Sequence, residues 1–292
     1  MTTIVMTGGT SGLGLVAAGR LASTPGVRLL LGGRRPGPDG VDVLPLDLAR
    51  LDDVRRFAAA VGSRVGDDGI EALVLNAGLA LRSADTRTAD GFETTFAVNH
   101  LAHYLLVRLL TPRLAPHAVV VLTTSGTHDP AEKAPIRPPR HAEARLLADP
   151  ALDPDRDPAP RRAGQHAYTA SKLCAVLTAR GLAARGVTAY AYDPGPTPGT
   201  GLSRDYSPAM RLAWSVLGGP TGRLLPRLSR PADAGATLAD LALGRAAPPA
   251  DGSYARLRRG ALTWADPSDL ARDDAVRDRL WADSAGLLGL TT

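Results

Sequence analysis

TIVMTGGTSGLGLVAAGRLA, residues 3–22, reads as a strand, a glycine turn and a helix. The run at 3–7 is apolar, short and closed by glycines, as a buried strand should be. From about Leu13 to Ala22 the pattern becomes helical. Gly8, Gly12 and Gly14 sit where strand passes into helix, with Thr10, Ser11 and Leu13 completing the turn. Glycine permits a tight turn and a close approach of the backbone to a bound group. The helix start adds unpaired N–H groups and a positive dipole end, which together suit the pyrophosphate of a dinucleotide. The spacing is GxxxGxG, not the commoner GxGxxG, so the turn alone is a moderate signal.

The same rhythm continues outward from this turn. Valine- and leucine-rich runs recur at 27–31, 41–46, 72–76, 119–124 and 187–192, without alternation, as strands buried on both faces do. Helical patterns lie between them near 52–62, 90–111 and 168–184, and two more close the chain at 231–244 and 269–288. Strand alternating with helix predicts an α/β fold with a parallel sheet and right-handed crossovers. We read residues 1–292 as one domain. Residues 129–166 interrupt the rhythm with prolines and charges and a short helix near 141–148. They read either as a solvated surface insertion or as a mobile lid over a substrate pocket. A second Pro/Gly-rich stretch, within 196–230, forms a substrate-side loop region whose Leu202, Met210, Leu212 and Trp214 offer apolar walls. A lid over such walls suits a bulky, largely apolar ketone or alcohol, such as a polycyclic secondary metabolite.

Composition narrows the function classes. Aromatic residues make up only 4% of the chain, and the net charge of +5 comes from arginines scattered among acids. That combination argues against a nucleic-acid partner. No run approaches the length needed to span a bilayer. The single cysteine, Cys174, excludes an intrachain disulfide. With a start that enters a strand directly, this leads us to expect a cytoplasmic protein. No group of His, Cys and carboxylates has metal-ligand spacing, so no metal is expected. Lys and Arg total 34, yet only Lys133 and Lys172 are lysines, and only Asn76 and Asn99 are asparagines. Such survivors are candidates for positions where a substitute would not work, and three of the four fall in the motifs below.

Two further stretches carry chemistry. The second strand ends in LGGRR, and counting 20 residues from Gly14 reaches Arg34. An acid near this place grips the ribose 2′-hydroxyl of NAD, whereas an arginine suits the 2′-phosphate of NADP. Arg34, with Arg35 beside it, therefore points to NADP(H), with no acid expected to oppose it. YTASK, Tyr168–Lys172, opens a helical pattern and places its tyrosine and lysine at i and i+4, on one face. A phenol is a poor acid/base at neutral pH, and a neighbouring ammonium favours its ionised form. An arginine lacks that compact head, and this arginine-rich chain nevertheless uses lysine here.

TGGTSGLG, LNAG at 75–78, VNHL at 98–101, TTSGTH at 123–128, YTASK and DPG at 193–195 together resemble the ordered motifs of the short-chain dehydrogenase/reductase family, across nearly the whole chain. ADGFETTFAVNHLAHYLL, SKLC, PGTGL and RLWADSAGLLGL are similar to its retinol-dehydrogenase-like and protochlorophyllide-reductase-like branch. The resemblance implies a doubly wound Rossmann-type sheet of about seven strands with helices on both faces. It also implies hydride transfer between nicotinamide and a carbonyl or alcohol carbon, with a homodimer or homotetramer as the assembly. By the same resemblance Tyr168 donates or takes the proton, and Lys172 holds the nicotinamide ribose. Ser125 bonds the reacting oxygen, and Asn99 positions a proton-relay water near Lys172. Asn76, Ala77 and Gly78 pack against the cofactor, Asp47 and Leu48 flank the adenine, and Pro194, Gly195 and Thr197 line the nicotinamide side.

The chain departs from the family pattern at Leu75, where a second asparagine is common, and in the interval of 43 residues from Ser125 to Tyr168, which exceeds that in compact members. The departures leave the substrate open. Cys174 matches a cysteine of the photoreductase branch but reads better as a buried helix contact. His128 reads as structural rather than catalytic. Reduction of a carbon–carbon double bond, and a cofactor-sensing protein without catalysis, are the alternatives to carbonyl or alcohol chemistry.

Overall fold

β1 (Thr2–Thr7), β2 (Val27–Gly33), β3 (Asp42–Pro45), β4 (Ile70–Leu75), β5 (Leu114–Thr123), β6 (Thr188–Asp193), β7 (Tyr254–Arg258) and β8 (Ala261–Trp264) form one sheet. Its order is β3-β2-β1-β4-β5-β6-β7-β8. The computed structural model describes residues 1–66, 68–198, 228–246, 248–249 and 253–291. Leu202, Met210, Leu212 and Trp214, the apolar walls expected from the sequence, lie outside the described residues, as does most of the 196–230 region. Neighbouring strands run parallel from β3 to β7, and β8 alone is antiparallel, on β7. The sheet therefore has eight strands rather than about seven. The β7–β8 hairpin escaped the sequence reading because its turn is Arg259–Gly260 rather than Asn-Gly. Both turn residues have positive φ, +53° and +76°, as a two-residue hairpin of right-handed strands requires.

Alternation along each strand builds two cores. Val5, Leu30, Leu73, Leu75, Val120 and Leu122 face one side of the sheet, and Ile4, Met6, Leu29, Leu31, Val74 and Val121 face the other. The second face is covered by α1 (Gly12–Ala22) and a late helix, Pro231–Ala242. The first is covered by α2 (Leu51–Val65) and α3, and by later helices described below. α3 runs through Thr94–Phe96, a π-turn at Ala97–Leu101 and Ala102–Leu110. It starts at 94, later than the helical pattern suggested, because buried Glu93 caps it: its carboxylate accepts the N–H groups of Thr95 and Phe96 at 2.9 and 2.6 Å.

The 129–166 segment is partly buried, where its prolines and charges led us to expect no buried core. It holds α4 (Ala144–Ala148), and Ala142, Ala144, Leu147 and Ala148 are buried in the first core. Its last residues already belong to α5 (Pro160–Ala183), which starts eight residues before Tyr168 with a proline in its first turn. The segment is stitched to residues 84–93: Ala148 O accepts from Glu93 N at 2.8 Å, Asp149 pairs with Arg87 at 3.2 Å, and Arg156 pairs with Asp85. Prolines and charges suggested a mobile solvated cover. Apolar side chains on one short helix, packed near the terminal helix Asp274–Leu287, instead anchor it. Leu147→Ala should therefore destabilise the protein by about 2–5 kcal/mol, read from urea unfolding. A loss below about 0.5 kcal/mol, the range of surface changes, would show the segment to be peripheral. Among the described residues no helix is long and apolar enough to cross a membrane.

Candidate active site

The strand order reverses between β1 and β4, and in open α/β sheets the crevice at such a point is where a nucleotide binds. β1 ends there at Thr7 and β4 just before Asn76. Gly8 and Gly12 take φ of +69° and +58°. A Cβ on Gly14 would stand 2.0 Å from the Gly8 carbonyl oxygen, so no other residue fits. The Asn76 amide clamps the turn, donating to Gly8 O at 3.0 Å while its oxygen accepts from Thr123 Oγ1 at 3.0 Å. Ser11 is the N-cap of α1, yet its side chain makes no capping bond, and the first turn carries no acid. The first N–H groups of α1 are thus left to an external anion. Together the cradle, the uncapped helix start and Thr10 and Leu13 alongside fit a pyrophosphate.

Arg34 and Arg35 are exposed past the end of β2, and Leu48 is buried beside half-buried Asp47. The pairing of β2 with β3 brings Arg34 Nη1 within 3.6 Å of Asp47 Oδ2. An acid does stand beside this arginine, contrary to the sequence reading, because strand pairing joins residues thirteen apart. Asp47 is itself occupied, accepting from Ala49 N at 3.0 Å.

Lys172 comes from the middle of α5 and is 5% exposed. Burial lowers its pKa to about 8, against the opposing pull of the Asp193 charge. Its Nζ donates to Thr123 O at 3.1 Å and stands 5.7 Å from the Tyr168 ring centroid. Thr124 Oγ1 donates to Lys172 O at 2.6 Å, fixing this part of α5 on the end of β5. A Cβ on Gly78 would sit 3.3 Å from Asn99 Oδ1 and 3.4 Å from Lys172 Nζ, which places all three residues at one point. The Asn99 side chain pairs with the Leu79 backbone in both directions at 2.8 Å and donates to Ser171 Oγ at 2.9 Å. The Ser125 hydroxyl accepts from Thr127 N at 3.4 Å, at the start of a 3₁₀ turn packed on α5. Tyr168, Lys172, Asn99 and Gly78 thus converge at the strand ends beside the glycine turn.

A family model for short chain dehydrogenases matches residues 2–132. Retinol dehydrogenase 12 of Homo sapiens is 32% identical over 309 residues, covering 98% of this chain and 86% of that protein. The chain belongs to the short-chain dehydrogenase/reductase family. The chloroplastic protochlorophyllide reductase of Chlamydomonas reinhardtii is 30% identical over 329 residues, covering 99% of this chain and 78% of that protein. The two relatives place this oxidoreductase in the branch that its motifs resembled. The crystal structure of an uncharacterized protein from Mycobacterium paratuberculosis superposes with a TM-score of 0.66 at 28% identity, covering 99% of this chain and 94% of that one.

Beside the site of this short-chain dehydrogenase/reductase stand charged residues whose grouping the sequence did not reveal: Asp193, Glu132, Arg256 and Arg258. Pro194, Gly195 and Thr197 follow β6 closely, with Gly195 at φ +70°. Asp193, 1% exposed, holds that turn by accepting from Gly195 N at 2.9 Å. Its other oxygen accepts from Arg258 at 2.8 Å and from the Tyr254 hydroxyl at 3.3 Å. Glu132, at the start of the insertion, receives Arg258 at 3.1 Å and also Arg256. His128 packs edge-on to Tyr254 and its Nδ1 lies 2.8 Å from Ser125 O. The sequence signal for this cluster was YARLRRGALTW, an alternating run broken by a glycine at a two-residue turn. Cys174 is fully buried in the core and its thiol pKa is pushed up by burial.

Proposed function

We propose that this protein is an NADP(H)-dependent oxidoreductase moving hydride between the cofactor and a carbonyl or secondary-alcohol carbon of a bulky, largely apolar small molecule. The observation that carries the reading is the convergence of Tyr168, Lys172 and Asn99 beside the glycine turn. A bound nicotinamide supplies or takes the hydride. Tyr168 gives its phenolic proton to the carbonyl oxygen, or takes it back from an alcohol. Lys172, held between Thr123 O and Gly78, presents a cation that favours release of that proton and reaches the ribose hydroxyls. Ser125 hydrogen-bonds the reacting oxygen. The relatives' names speak of retinol and protochlorophyllide, and both are bulky, which supports the substrate class. Reduction of a carbon–carbon double bond takes one hydride and one proton, as carbonyl reduction does, and the fully buried, high-pKa thiol of Cys174 is no donor for that proton.

Cofactor choice rests on Arg34. A charge-assisted bond to the 2′-phosphate should make NADPH bind about tenfold or more tightly than NADH, since Asp47 holds Arg34 only loosely. Titration of each nucleotide by fluorescence, with Arg34→Ala alongside, tests this. Equal affinities, or an unchanged ratio in Arg34→Ala, would overturn NADP(H). Oxidation of NADPH with a panel of bulky and small ketones then tests the substrate class. Faster turnover of the small ones would count against it.

A further inference from the structure

His103 lies one turn past Asn99 on α3 and is 3% exposed. Its Nδ1 lies 3.2 Å from the Asn99 carbonyl oxygen, and its Nε2 lies 3.0 Å from Thr7 Oγ1. The ring proton can be placed by counting lone pairs. A hydroxyl has one proton and two lone pairs. Thr7 Oγ1 already accepts from Asn76 N at 3.1 Å and from Ala77 N at 3.2 Å. Its proton must therefore go to His103 Nε2. Nε2 is an acceptor, so the ring proton sits on Nδ1 and is donated to Asn99 O. A cationic imidazole would turn an N–H toward an oxygen with no lone pair left.

This chain of bonds joins three parts of the site. Thr7 ends β1 immediately before Gly8. Asn76 and Ala77 follow β4. Asn99 lies in the π-turn, where the backbone bond shifts so that Ala102 N–H reaches Ala97 O, a distortion that frequently marks functional sites. The Asn99 side chain then holds Ser171, the neighbour of Lys172. Two titratable groups bear on His103: Lys172 on α5, whose charge disfavours a second cation there, and His100 on the same helix.

We propose that His103, fixed as its Nδ1–H tautomer, is a positioning residue of the hydride-transfer site. It clamps the Asn99 π-turn to the nucleotide turn at Thr7 and so sets where Lys172 stands. The inference rests on the oxidoreductase reading given above. It acts through Asn99 and touches no reacting atom itself.

Two measurements test it. In the protein labelled with ¹⁵N-histidine and free of cofactor, long-range ¹H–¹⁵N spectra should show His103 with a protonated Nδ1 and a bare Nε2. The opposite tautomer, or a cation at pH 7, would overturn the assignment whatever the variants do. For the kinetics, His103→Asn keeps an amide donor near the Nδ1 position for Asn99 O, whereas His103→Gln sets its amide near Nε2, where its oxygen can accept from Thr7, and leaves Asn99 O without a donor. His103→Gln should lower kcat about tenfold through misplacement of Lys172 and move the alkaline limb of the kcat profile, with NADPH binding weakened alongside because Lys172 also reaches the ribose. His103→Asn should recover most of the loss. Undiminished kcat in His103→Gln, or equal losses in both variants that follow their thermal stability, would reduce His103 to a packing residue. An active His103→Gln beside an inactive Tyr168→Phe would defeat this inference alone. A fully active Tyr168→Phe would defeat the functional reading beneath it.

Discussion

Tyr168→Phe should lower turnover by about 10²–10⁴-fold, the usual worth of a positioned general acid/base, while NADPH binds as in the wild type. The substitution removes one oxygen and keeps the ring of a residue on α5 that is 8% exposed, so the fold should survive. In the binding mode proposed above the nucleotide rests on other groups: the glycine turn, the first N–H groups of α1, Arg34 and Lys172. Lys172→Ala should therefore differ, losing both turnover and nucleotide affinity. The pH profile should carry the signature of the same lysine. Burial lowers its pKa to about 8, so its cation is present below about pH 8 and is lost above it. Turnover that depends on that cation should fall on the alkaline side. Steady-state kinetics from pH 6 to 10 with both variants would check all three statements. Near-normal turnover in Tyr168→Phe would show that the proton comes from elsewhere.

Acid should unfold this protein steeply. Burial lowers the pKa of His100 to about 3 and that of His103 to about 4. Both imidazoles are buried, His100 at 2% exposure with its Nε2 2.8 Å from Ser284 Oγ, so the charged form is disfavoured in place. In the unfolded chain both titrate near 6.5. Below that pH the unfolded chain binds two protons that the folded one refuses until about pH 4 and 3. Stability held above pH 6.5 is then lost at up to about 2.7 kcal/mol per pH unit. Glu93 works against this, because burial raises its pKa and the folded state takes up its proton more readily as pH falls. That is one group against four, since burial also lowers the pKa of His166, to about 4, and that of His128, and the slope keeps its sign. Urea midpoints between pH 7 and 5 should fall accordingly. A flat profile would mean that these imidazoles reach water in the native state.

Much of this was legible in the chain itself, because local rules wrote it. Strands buried on both faces must be apolar throughout, so the β1 and β4–β6 runs stood out. The glycines at 8, 12 and 14 announced the turn because backbone geometry there admits nothing larger. YTASK placed Tyr168 and Lys172 on one face through helix periodicity alone. Charged, proline-rich composition misread residues 129–166, because a few apolar side chains on one turn of helix anchor a segment that is polar on average. The β7–β8 hairpin was missed because its arginines looked like surface residues.

What local sequence could not contain were pairings between distant segments. That Arg34 faces Asp47 follows from the β2–β3 register. That Asp193, Glu132, Arg256 and Arg258 form one cluster follows from β6 lying beside β7. That His103 holds Asn99 against Thr7 follows from α3 crossing the ends of β1 and β4. Sequence periodicity specifies which face of an element is apolar and which side chains share a turn. Only the assembled sheet specifies which faces meet, and a hydrogen bond over 96 positions, such as that between Thr7 and His103, exists only once they do.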